Sequence, residues 1–195
     1  MARKKCSPLQ KSIEWCQGRT VKPGIRRDIY YLDKSAIVKW PTRPMDELGR
    51  VTSSSYDEGS SFVLAESEFW RKLETQQSKS KPTSEPQGEL PSQTQLNKLE
   101  IVIPGTGPDE SALCVYVNNT DSVFLVTDNH GRIRVYGSED YETKSTVTQD
   151  LGEGPTGTAA TTLSVEATDA TLPPFYFGEI VTEDGVINEQ VKDIP

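Results

Sequence analysis

A chain of 195 residues is long enough for one domain with an extended arm, and its apolar share of 34% is low for a compact globular protein. Part of it is therefore expected in loops, arms or surfaces that a partner buries. The net charge of −8 is uneven: residues 1–44 hold 11 Lys and Arg against 3 Asp and Glu, while the remainder holds 10 against 26. Such an acidic body argues against a surface that grips nucleic acid, which needs clustered Lys and Arg.

No run approaches the roughly 20 apolar residues that span a bilayer. The basic start, MARKKCSPLQKS, leads into no apolar stretch, so no secretory signal is expected. Cys6, Cys16 and Cys114 are an odd number without CxxC spacing. They argue against a zinc site and suit a reducing compartment better than a disulfide framework.

Residues 1–24 carry the breakers Ser7-Pro8 and Lys22-Pro23-Gly24 and read as a basic N-terminal arm. A β domain follows over residues 25–181. Residues 25–32, IRRDIYYL, read as its first strand, and residues 36–40, AIVKW, as a second that Pro41 and Pro44 end. Residues 46–59 are polar and read as a loop or a short edge strand. Residues 61–74, SFVLAESEFWRKLE, admit two readings. One is a pair of strands, with Phe62 and Leu64, then Phe69, Arg71 and Leu73, alternating; the other is a helix with Phe62, Ala65, Phe69 and Leu73 on one face.

Residues 75–95, TQQSKSKPTSEPQGELPSQTQ, have the composition of a flexible linker. A structureless loop of about twenty residues inside a domain is uncommon. A long inter-strand loop that orders only against a neighbouring subunit would account for it. Residues 96–103, LNKLEIVI, alternate as a strand up to Pro104-Gly105. Residues 104–119 read as a loop and a short helix, with Asp109 and Glu110 at its positive end and Asn118-Asn119 as its stop. Ala112, Val115 and Tyr116 are the expected buried face, with Val117 beside them. The PGTG at its start lacks the GK[ST] of a phosphate loop.

The strongest local signal is SVFLVTDNHGRIRVYG, residues 122–137. Two β-branched and aromatic runs flank Asp128-Asn129-His130-Gly131, which is hairpin turn chemistry. The first run is apolar almost throughout and suits an inner strand covered on both sides. In the second, Ile133 and Val135 point one way and Arg132, Arg134 and Tyr136 the other, giving one buried and one wetter face. Residues 138–155 read as an acidic, flexible crossing and residues 158–167, TAATTLSVEA, as a strand. Residues 173–180, PPFYFGEI, read as a compact aromatic strand, with Phe175 and Phe177 in the core and the Tyr176 hydroxyl bonded at a second packed surface. Residues 182–195 are an acidic C-terminal tail with a short strand at 185–188.

Groups for catalysis are sparse. His130 sits at a hairpin tip, which offers a general base neither burial nor an orienting partner. No GxSxG, HExxH or CxxC pattern is present. The carboxylate pairs Asp46-Glu47, Asp57-Glu58, Glu139-Asp140 and Glu183-Asp184 all lie in polar segments and read as solvated surface. No catalytic, cofactor-binding or metal-ligating residue is assigned, and no enzymatic activity or cofactor is expected.

The order of segments resembles the tail tube (major tail) proteins of long-tailed bacteriophages and the wider class that includes type VI secretion tube proteins. The resemblance covers about residues 50–181. It is carried by SEPQGELPSQTQLNKLEIVIPG at 84–105, DSVFLVTDNHGRIRVYG at 121–137 and GPTGTAATTLSVEATDATLPPFYFGEI at 154–180. It implies a small antiparallel β-barrel or sandwich with one flanking short helix, and it favours the pair of strands over the helix in residues 61–74. It further implies a structural virion protein: hexameric rings whose inner sheets join into one barrel, stacked into a tube that conducts DNA without specific binding. The implied partners are the protein itself, a tail terminator and a tape measure protein. Assembly would take place in the host bacterial cytoplasm, with no membrane. A tail terminator or head–tail connector is the nearest alternative. A non-catalytic β-sandwich that binds carbohydrate or protein is the alternative from another class.

Overall fold

Strand formation follows the β-branched and aromatic runs, and the computed structural model, which describes residues 12–187, sorts most strands into two antiparallel sheets. In chain order these are Ile25–Asp33 (β1), Ile37–Lys39 (β2), Val63–Leu64 (β3), Arg71–Glu74 (β4), Lys81–Gln87 (β5) and Thr94–Pro104 (β6). The α-helix Pro108–Val117 (α1) comes next. Ser122–Asp128 (β7), Ile133–Tyr136 (β8), Thr143–Asp150 (β9), Ala160–Asp169 (β10), Phe175–Tyr176 (β11), Ile180–Thr182 (β12) and Gly185–Ile187 (β13) complete it. One sheet runs β11-β8-β7-β1-β4 and the other β5-β6-β10-β9. Neither closes on itself, so the fold is a sandwich rather than a barrel.

The five-stranded sheet is the middle layer, which explains why β7 is apolar on both faces. Ile29, Tyr31, Phe124, Val126 and Tyr136 meet Leu99, Ile101, Leu163 and Val165 of the other sheet. On the opposite face Tyr30, Leu32, Val123, Leu125, Ile133, Val135 and Tyr176 meet Tyr56, Phe62, Trp70 and Ile180 from the loops and small hairpins. The expected wetter face of the hairpin is thus only partly so: Arg132 and Arg134 are half-buried, but Tyr136 is buried. At the turn, Asp128 accepts from the His130 and Arg132 N–H groups and pairs with the Arg132 side chain.

The chain forms the expected pair of strands, β3 and β4, within residues 61–74. Four other segments depart from expectation. Residues 75–95 are not one loop, because β5 pairs with β6 along its whole length, from Lys81↔Glu100 to Gln87↔Thr94. An edge strand needs only the ladder on one side, so polar side chains and two prolines are tolerated. Residues 138–155 are likewise not a free crossing, because β9 pairs with β10. Its inward positions hold small hydroxyls, Thr143 and Ser145, so no apolar period marks it.

Of the expected helix face only Val117 turns inward. Leu113 and Val117, four residues apart, pack on the core, while Ala112, Val115 and Tyr116 are exposed. Val115 lies about 200° around the helix from each of them. The aromatic segment pairs with β8 only at Phe175–Tyr176, and its faces are the reverse of those expected. Tyr176 is 2% exposed, and its hydroxyl donates to Glu179 O and accepts from Phe62 N–H. Phe175 and Phe177 are half-buried. The inside position belongs to Tyr176 because the face it shares with Ile133 is the one under the loop layer. Gly178 permits this closure, since a Cβ there would lie 2.5 Å from Tyr176 Oη.

The expected boundary between domain and tail at residue 182 falls inside the β12–β13 hairpin, which is held to the body by Trp70 N–H to Val181 O at 2.8 Å. Residues 12–24 of the expected arm contain no strand or helix and are exposed. Residues 1–11, with Cys6, and residues 188–195 lie outside the described residues.

Candidate functional site

The groups that could carry chemistry are not brought together. His130 Nε2 accepts from the Lys22 N–H at 3.0 Å, which holds the end of the arm at the hairpin turn. Asn129 secures the same segment, donating to Pro23 O from its side chain and to Gly24 O from its backbone. Cys16 is exposed, and Cys114 lies within α1, its thiol pushed up by burial. Asp57, Glu58, Glu139, Asp140, Glu183, Asp184 and Glu47 are exposed. Asp46 instead caps its own turn, held below the usual carboxylate range by the Arg50 backbone N–H first and by the Arg50 side chain. Among the described residues, no group of three or more His, Cys, Asp or Glu is placed to hold a metal, and no helix is long and apolar enough to cross a membrane.

One ion pair escaped the sequence reading. Arg43 meets the buried Asp169 through two contacts, of 2.8 and 2.6 Å, and also bonds Tyr56 Oη. Burial opposes the Arg43 charge, but the Asp169 and Tyr56 hydrogen bonds outweigh it and hold the proton more tightly. The pair ties the loop after β2 to the end of β10. The two residues stand 126 positions apart, so no spacing signals them.

The outer face of the four-stranded sheet is exposed along its rows. The register places Lys81, Glu100, Ser164 and Thr146 in one row across it, and Thr83, Lys98, Glu166 and Lys144 in the next. Glu85, Leu96 and Thr168 form a third row, with Glu85 ion-paired to Lys98. The three rows contain three lysines and three glutamates among hydroxyls, so this face is nearly neutral although the body is acidic.

Both edges of this sheet are guarded. Val102 directs its N–H to Ser80 Oγ and its C=O to Gln76 N–H, so its polar groups face the β5 side. Alternation then turns Lys81, Thr83 and Glu85 toward β6 and leaves Pro82, Ser84 and Pro86 on the free edge. Between the two prolines, only Ser84 offers an N–H. At the other edge, Asn118 Oδ1 accepts from Val147 N–H at 2.8 Å and Asp121 Oδ1 from Thr143 N–H at 2.9 Å. The end of α1 and its following loop therefore cap β9 with side chains.

No protein-family model, curated protein or solved structure matches this chain.

Proposed function

We propose that the protein is a structural subunit of a phage-type tail tube, in which rings of identical copies stack around a channel for DNA. The observation that carries this reading is the four-stranded sheet. It buries one face in the core and presents on the other a hydroxyl-rich surface of strands 7 to 11 residues long. A channel wall of that character gives phosphates no cluster of cations to hold them, so a duplex stays mobile. Guarded edges mean that neighbouring copies would be joined through side chains, because a continuous main-chain ladder has too few free donors at Pro82 and Pro86.

The guarded edges also favour a second reading, a non-catalytic β-sandwich binding module that acts as a discrete particle. Negative-stain microscopy of the purified chain separates the two. Stacked rings support the tube reading, single rings a terminator, and isolated particles at all concentrations the binding module.

A further inference from the structure

A cavity of about 320 Å³ lies between the hairpin, β5 and the end of the arm. That volume lies at the lower end of the range of small-molecule sites. Arg134 and Tyr136 enter it from the inner face of β8. Arg134 is half-buried, its guanidinium stacked on the Phe175 ring at 4.1 Å, with one long contact of 3.4 Å to Pro173 O. No carboxylate among the described residues pairs with it. Tyr136 is 2% exposed, and its hydroxyl makes no hydrogen bond to another described residue. Two donors thus line the same cavity with little to bind.

The other charges there leave a positive balance. Arg132 is neutralised by Asp128 at 2.9 Å, while Lys22 stands at the rim where His130 holds its backbone. Burial lowers the pKa of Arg134 and raises that of Tyr136 to about 12, so both groups are desolvated donors. Ile25, Val126 and Leu172 supply an apolar wall. A net-positive recess is unusual on a chain of net charge −8.

We propose that this cavity binds a small organic carboxylate with a compact apolar body, its carboxylate taken by Arg134 and Tyr136. A planar guanidinium offers a carboxylate two parallel N–H bonds, and a charge-assisted bond in a recess is stronger than one at the surface. The site does not depend on the tube reading.

The test is a titration of the full chain with benzoate, and with benzamide as its neutral counterpart, followed by amide nuclear magnetic resonance. Benzoate is expected to shift the amides around Arg134 and Lys22 saturably and to bind about tenfold more tightly than benzamide. Arg134→Gln is expected to abolish that difference while leaving the remaining spectrum in place. Equal binding of the two probes, shifts that do not saturate, or unchanged benzoate binding in R134Q would overturn the proposal. Should R134Q disturb the fold, Tyr136→Phe decides: a several-fold loss of benzoate affinity supports the site, and unchanged affinity overturns it.

Discussion

Single side chains around β8 and β11 show how a local pattern is resolved by what covers it. Three consecutive aromatics must alternate in a strand, but alternation does not say which set faces inward. The loop layer decides: Tyr176 lies among Tyr56, Phe62 and Ile133, while Phe175 carries the guanidinium groups of Arg132 and Arg134. Tyr176→Ala should therefore cost about 3–5 kcal/mol, as truncation of a buried aromatic does. Phe175→Ala should cost clearly less, since the ring is half-exposed. Thermal or denaturant melts of the two variants check the order, and equal losses would contradict this placement. Tyr136 makes a pH prediction. Its pKa is raised from 10.0 to about 12 by burial, with Arg134 pulling the other way. Between those values the unfolded chain releases the proton and the folded chain retains it, so the contribution is full below pH 10 and lost by pH 12. The loss is about 2–3 kcal/mol at 1.36 kcal/mol per unit. Tyr136→Phe should remove this component of alkaline destabilisation, and a difference absorbance titration against the parent should show one phenol ionising near pH 12. A missing phenol at pH 10 instead would mean that Tyr136 is solvated.

At the scale of elements, legibility tracked side-chain chemistry. β7, β8, β6 and β10 were readable because their runs are β-branched or alternate in polarity, and β1 because its residues 29–32 are covered on both faces and are apolar or aromatic throughout. β5 and β9 were not, because each lies at an edge and is held by backbone bonds. KPTSEPQ and TKSTVTQD carry no clear apolar period: Pro82 and Ser84 lie on the inward side of the first, and Thr143 and Ser145 precede Val147 on that of the second. The caps on β9 were equally hidden, since Asn118 reads as a helix-stop residue, Asp121 carries no local signal, and only the fold sets them against Val147 and Thr143. No property of residues 122–137 taken alone reveals that Arg134 lacks a carboxylate partner among the described residues, because that depends on Pro173, Phe175 and β5 around it. The caps yield a prediction. Replacing both Asn118 and Asp121 by Ala leaves two edge N–H groups without acceptors, at about 1–3 kcal/mol where water does not replace them. The exposed edge becomes a template for pairing. The double variant should self-associate at concentrations where the parent does not, with increased β signal by infrared spectroscopy. A variant as monodisperse as the parent in sedimentation would show that the caps do not guard the edge.

For the molecule as a whole, the governing feature is the separation of charge between its N-terminal segment and the rest of the chain. Residues 1–44 carry a balance of +8 and residues 45–195 one of −16. The structure fixes where the basic segment leaves the body: Lys22, Pro23 and Gly24 are held at the hairpin turn by His130 and Asn129, and residues 12–20 before them are exposed. Fields of opposite sign steer two copies together and set their register more than their affinity. In a stack of rings, the arm of one copy would meet the acidic surface of the next, where Glu139, Asp140, Glu183 and Asp184 are exposed. Deleting residues 1–20 keeps the contacts at the turn, so the melting temperature should be unchanged. Stacking should fail, leaving single rings in micrographs. For the full chain, tubes should shorten as salt rises from 0.1 to 1 M, because the screening length falls from about 10 to about 3 Å. Tubes of normal length from the truncated chain would remove the arm from the stacking contact. Absence of rings from the full chain would instead count against the tube reading itself.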